Sequence, residues 1–159
     1  MKKATAVPLS FLFSCLILMQ ATAQNLTEAE EMSIRSEVNR IFNDMLIIAE
    51  DLDYDGLSSG VDDRYHAGFI ANGNYYAHYS SLIADLKPNA QGVRQQDISV
   101  GEKKTTVLSD DIVLMTVSGV SRAELVDGRE IKASFHWSFV YKKIDNSWKV
   151  VFSHQSQAN

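Results

Sequence analysis

Between Glu130 and Tyr141 apolar and polar positions alternate, with Ile131, Ala133, Phe135, Trp137, Phe139 and Tyr141 on one parity. That period of two predicts a β-strand with one buried face. Asp145-Asn146-Ser147 carries turn chemistry, and Trp148 to Ser156 predicts the return strand. Upstream, Ile112 to Leu125 predicts a long strand turned by Asp127-Gly128, and Gln91 to Val100 and Thr105 to Leu108 predict two more. Nearer the N-terminus the period changes. Ile34, Val38, Ile41, Phe42, Met45, Ile48 and Ala49 recur at helical spacing, which predicts an amphipathic helix ending near Glu50. Thr27 and Glu30 stand as a capping box at its start.

Between these regions lie shorter elements. Asp51 to Asp63 is acidic, contains Gly56 and Gly60, and predicts a loop or a short second helix. Tyr65 to Ala71 has strand character, and Asn72-Gly73-Asn74 predicts a hairpin turn returning through Tyr75 and Tyr76. His78 to Leu86 has helical composition and is expected to stop at Lys87-Pro88. Helices first and long antiparallel strands afterwards predict an α+β fold, with the N-terminal helix covering the apolar face of the sheet.

The first 23 residues read as a secretory signal peptide. Lys2 and Lys3 form a basic start, Val7 to Met19 is apolar, and Ala21-Thr22-Ala23 fits a small-x-small cleavage site. The apolar run is shorter than the ~20 residues that span a bilayer. A mature domain over 24–159, periplasmic or secreted and free of the membrane after cleavage, is the expectation. The one cysteine, Cys15, falls within the signal, so the mature chain has no thiol for a disulfide, a nucleophile or a metal. Without Lys2 and Lys3 the formal net charge moves from −5 to −7, and no run of Lys or Arg exceeds two residues. Nucleic acid and anionic membrane are therefore poor partners.

A strand of aromatics, a short turn and then Trp148-Lys149-Val150-Val151-Phe152-Ser153-His154-Gln155-Ser156 resembles the closing hairpin of SnoaL-like domains. These belong to the nuclear transport factor 2-like superfamily. Asp62-Asp63, the Asn72-Gly73 turn before a short helix and the Asp127-Gly128 hairpin add to the resemblance, which runs from about Thr27 to Ser156. It implies a cone-shaped, strongly curved antiparallel sheet packed on N-terminal helices, with a central pocket. It implies a small-molecule ligand in the cone, and a homodimer formed through the outer sheet face. It also brings in cofactor-independent isomerases, cyclases and dehydratases, in which a pocket carboxylate moves a proton opposite a neutral hydrogen-bond donor.

On that basis Asp63, Asp97 and His154 are the catalytic candidates, with Tyr65, Tyr76 or His154 as donor. Tyr65, Tyr76, Tyr79, Arg122, His136 and His154 are the ligand-binding candidates. By residue number His154 shares a strand face with Trp148 and Phe152. A cone filled by Phe69, Met115 or Phe152 would instead suit a structural or assembly domain. Asp51-x-Asp53-x-Asp55-Gly56 resembles the start of a calcium loop, but the twelfth position is Asp62 where that loop wants Glu. An acidic interhelical turn is the preferred reading, and no metal is expected. Two histidines, His66 and His78, could approach each other across the hairpin but lack a clear third ligand. No phosphate loop, hydrolase elbow or zinc helix is present, and no cofactor is expected.

Overall fold

A computed structural model describes residues 26–158. The expected signal peptide and cleavage site lie outside the described residues. Helix α1 (Glu28–Glu50) begins as the sequence predicts. Thr27 accepts from the Glu30 N–H at 3.3 Å, and the Glu30 carboxylate takes the Thr27 N–H at 2.8 Å. Val38 and Phe42 are buried beneath it, with Ile34, Ile41 and Met45 packed alongside. A short helix, α2 (Tyr54–Leu57), and one 3₁₀ turn (Ser58–Gly60) follow.

Strands β1 (Phe69–Ala71) and β2 (Asn74–Tyr76) form the small hairpin. Asn72 and Gly73 turn it at φ of 49° and 82°, the left-handed pair that a tight two-residue turn demands. Helix α3 (Tyr79–Ala90) continues through Pro88 instead of stopping before it. Pro88 lies in the last turn, where its missing N–H costs one hydrogen bond at most. Buried Leu82 and half-buried Leu86 hold the helix to the core meanwhile.

Four long strands complete the chain: β3 (Val93–Val107), β4 (Ile112–Leu125), β5 (Glu130–Ile144) and β6 (Ser147–Ala158). The two strands expected over 91–108 are one. Val100 pairs with Gly119 and Glu102 with Ser118, so Gly101 is an extra residue that bulges the strand without ending it. The sheet order is β2-β1-β6-β5-β4-β3. The long strands are antiparallel, as the pattern predicts, but β1 joins β6 in parallel, which makes the sheet mixed. The sheet curves without closing, and its edges are unequal: three residues of β2 on one side and fifteen of β3 on the other.

The concave face carries the core. Val113, Met115 and Val117 of β4 and Phe135, Phe139 and Tyr141 of β5 are buried against Phe42 and Phe69. A second bulge decides what the last strand presents there. Val140 pairs with Phe152 but Tyr141 with Val150, so Val151 is the additional residue. Trp148 and Val150 point inward before the bulge, and buried Ser153 with cavity-lining Gln155 does so after it. His154 and Trp148, equal in numerical parity, therefore stand on opposite faces.

Candidate ligand-binding site

The deep cone is filled. Phe42, Phe69, Met115, Phe135, Phe139 and Tyr141 are each at most 2% exposed, and Phe42, Phe139 and Tyr141 pack ring to ring at centroid distances of 5.9 and 6.2 Å. Of the plugging side chains considered, Phe69 and Met115 are in this core, whereas Phe152 belongs to the convex side. What remains is a cavity of about 160 Å³ at the mouth of the cone. That is close to the roughly 150 Å³ that accommodates a benzene ring in a protein interior.

Every long element contributes to it. Ala49 comes from the end of α1, Tyr54 and Leu57 from α2, and Leu86 from α3. Ile98, Ser121 and Trp137 project from β3, β4 and β5, while Ala71 supplies the hairpin wall. The polar positions are uncharged: Asn72, Gln96, Gln155 and Gln157 offer carboxamides, and Tyr54 and Ser121 offer hydroxyls. Trp137 is stacked on Phe135 at 3.8 Å with 17° between planes and met edge-on by Phe139, which fixes its indole. Gln96 donates to the Ala49 carbonyl at 3.3 Å and so is held in place. Glu50 sits behind this wall, its Oε1 accepting from the Ile98 N–H at 2.6 Å. Burial raises the Tyr54 phenol above its ordinary value.

The candidates read from the sequence fall elsewhere. Asp97 and Arg122 face each other across β3 and β4, and both are exposed on the convex side. His136 and His154 are on that same side, exposed, with His154 opposite Ser138. His136 lines an open trough of about 680 Å³ there with Thr116, Ser118 and Ser138. Tyr65 is 53% exposed, with the Lys142 ammonium 5.9 Å from its ring centroid. Tyr76 donates to Asp85 at 2.5 Å and ties β2 to α3.

Asp63 and Tyr79 are brought together in a groove of about 370 Å³ beside the start of α3, together with Ser58, Asp62, Arg64 and Ser80. Asp63 accepts from the Tyr79 backbone N–H at 3.2 Å, and its Oδ2 lies 3.4 Å from His78 Nδ1. His66 stands edge-on to His78 at 5.7 Å. Tyr79 packs on Phe69, and burial pushes its phenol up to about 12. The acidic turn divides its carboxylates among separate tasks. Asp51 ends α1, Asp53 accepts from the Gly56 N–H at 2.9 Å, and Asp55 pairs with Lys87 at 2.7 Å. Among the described residues no group of three His, Cys, Asp or Glu side chains converges as metal ligands.

Sequence reasoning missed Tyr54, Gln96, Gln155 and Gln157. The alternation of Ser153, Gln155 and Gln157 was the one signal for the last two, and a polar alternation of that kind reads as a solvated strand.

No family model matches the sequence, and no curated protein matches it. Solved structures do. The hexachlorocyclohexane dehydrochlorinase LinA-type3 from Novosphingobium barchaimii is 17% identical over 84% of this chain and 92% of its own, with a TM-score of 0.68. A scytalone dehydratase-like protein from Novosphingobium aromaticivorans is 9% identical over 84% and 89%, with a TM-score of 0.75. A nuclear transport factor 2-like superfamily protein from Salmonella enterica serovar Typhimurium is 15% identical over 81% and 94%, with a TM-score of 0.70. At these identities the likeness is one of fold.

Proposed function

We propose that this chain, which has the nuclear transport factor 2-like fold in its SnoaL-like form, binds a small, uncharged, partly apolar molecule at the mouth of its cone. One observation carries the reading. The cavity wall holds an indole, carboxamides and hydroxyls but no carboxylate, imidazole, amine or guanidinium. Such a wall recognises shape and hydrogen bonds. It lacks the acid and base that proton transfer near neutral pH requires, because Tyr54 titrates only at high pH. Native mass spectrometry of the purified protein tests this. A bound mass lost on denaturation, and absent from a Ser121→Leu variant that keeps its fold, is the expected result. A clean apo mass, with no small neutral compound raising the melting temperature, would overturn it.

A second reading has its own observation. Asp63 lies 3.4 Å from His78 Nδ1 and is itself held by the Tyr79 N–H, beside a groove. A carboxylate behind an imidazole orients the ring and stabilises its protonated form, so His78 Nε2 becomes a base for an elimination. Similar folds named as a dehydrochlorinase and a dehydratase make elimination the reaction class to assay. Turnover lost in both His78→Gln and Asp63→Asn, with the fold intact, would favour this reading over simple binding.

Export through residues 1–23 and pairing of two copies through the convex sheet face complete the proposal. Cell fractionation tests the first and light scattering the second.

A further inference from the structure

The cavity at the cone mouth has a polarity as well as a shape. Helix α1 ends there with Ala49 in the wall, and its last turn contains no basic residue. The carbonyl end of a 23-residue helix therefore faces the site without a cation in its last turn, its Ala49 carbonyl held by the Leu52 N–H and by Gln96, and negative potential concentrates at such an end. Glu50 adds a carboxylate just behind Ile98. An anionic ligand meets repulsion from both. A cation would be drawn in, but it would give up its hydration to a wall with no charged partner, which is costly.

The hydrogen-bonding groups left over are of both kinds. Gln96 commits one of its two Nε2 hydrogens to the Ala49 carbonyl, and that bond fixes the carboxamide with its Oε1 as an acceptor. Among the described residues the Trp137 indole N–H, the Tyr54 hydroxyl and the Gln155 carboxamide form no hydrogen bond. Acceptor and donors thus line a cavity whose apolar walls include Leu57, Leu86, Ile98 and Ala71.

We infer that the ligand is a flat, neutral molecule carrying a primary carboxamide or lactam, whose N–H meets Gln96 and whose carbonyl meets Trp137 or Tyr54. The inference rests on the binding reading given above and narrows it. An amide donates and accepts on one edge without charge, with donor and acceptor on separate atoms, which suits a wall that offers both kinds of partner. A carboxylate of the same outline lacks the donor, and an ammonium lacks the acceptor.

The chain contains two tryptophans, so its indole N–H groups give two side-chain signals in a nitrogen-proton correlation spectrum. The indole of Trp148 is engaged by Glu37 and serves as an internal control. Benzamide, benzoate, benzylammonium and ethylbenzene are titrated into the protein in turn. Benzamide should move the Trp137 signal and leave Trp148 still, binding at least roughly tenfold more tightly than benzoate or benzylammonium. Gln96→Leu should weaken benzamide by about tenfold and spare ethylbenzene. Benzoate or benzylammonium binding as well as benzamide would overturn the inference. So would ethylbenzene binding while benzamide does not, although the cavity would then remain a binding site. If no probe moves the Trp137 signal, both this inference and the binding reading fall.

Discussion

The indole N–H of Trp148 donates to Glu37 Oε2 at 3.1 Å, joining the last strand to the first helix across 111 residues. Trp148 is 2% exposed, so its N–H has no access to bulk water. Glu37→Leu strands that donor and should cost about 1–3 kcal/mol in urea unfolding. Glu37→Gln keeps an acceptor in place and should lose clearly less. Equal losses would show that Glu37 matters through packing alone.

Gly119 lies under Phe135. A Cβ there would come within 2.2 Å of the Ser99 carbonyl oxygen and 2.6 Å of the Phe135 ring. Gly119→Ala should therefore destabilise by about 1–3 kcal/mol, because neither the neighbouring strand nor a buried ring yields easily. Phe135 stacks on Trp137, so the change should also alter Trp137 fluorescence. Gly101→Ala is the comparison: its nearest atom is 3.5 Å away, an ordinary contact, and calorimetry should find only a small change.

Asp111 accepts from Lys142 Nζ at 2.5 Å and from Ser109 Oγ at 2.7 Å. The Lys142 hydrogen bond is the main cause that holds its carboxyl below the ordinary 3.8. Arg64 does the same for Asp62, and the Thr27 cap does so for Glu30. Each carboxylate is lowered on folding, so each contributes above its unfolded value and is lost as pH falls through the folded one. Stability should hold from neutrality to about pH 5 and decline below about pH 4. Asp111→Asn should make that acid decline shallower, and 1 M salt should shrink the difference, since the Asp111 carboxylate is partly in solvent. An unchanged acid limb in Asp111→Asn would remove Asp111 from the account.

Tyr141 is fully buried, and its hydroxyl has no hydrogen-bond partner among the described residues. Burial drives its phenol far above the usual range, so it stays neutral. Tyr141→Phe removes an oxygen that gains nothing from the fold, and stability should be unchanged or higher by up to about 1 kcal/mol. A loss of more than about 1 kcal/mol would show that the hydroxyl is bonded after all.

The faces of β5 and α1 were legible because each keeps one period throughout. Phe135, Trp137, Phe139 and Tyr141 share a parity that no bulge interrupts, and Val38 and Phe42 share a helix face. The last strand was not legible in the same way. Val151 adds one residue, and from there the inward positions are Ser153, Gln155 and Gln157 in place of Phe152 and His154. A bulge leaves no mark in composition, yet it exchanges every side chain beyond it between core and solvent. The polar candidates Asp97, Arg122, His136 and His154 were chosen by chemistry without knowing which parity of each strand points inward, and all four lie outside the cone. The pairing of Asp63 with His78 and the α3 start depends on a contact sixteen residues away in sequence, which local pattern does not encode.

The open sheet leaves β3 as an edge strand fifteen residues long, with its Ile98 N–H taken by Glu50 of α1. A straight, apolar flank of that length would template another chain's strand and seed aggregates. Here Gly101 kinks the flank midway, and Glu102, Lys103 and Lys104 follow directly. Lys103 reaches back over Phe42, with its ammonium 5.3 Å from the ring. An incoming strand would have to flatten the kink and displace these charges, which opposes edge-to-edge pairing along this strand.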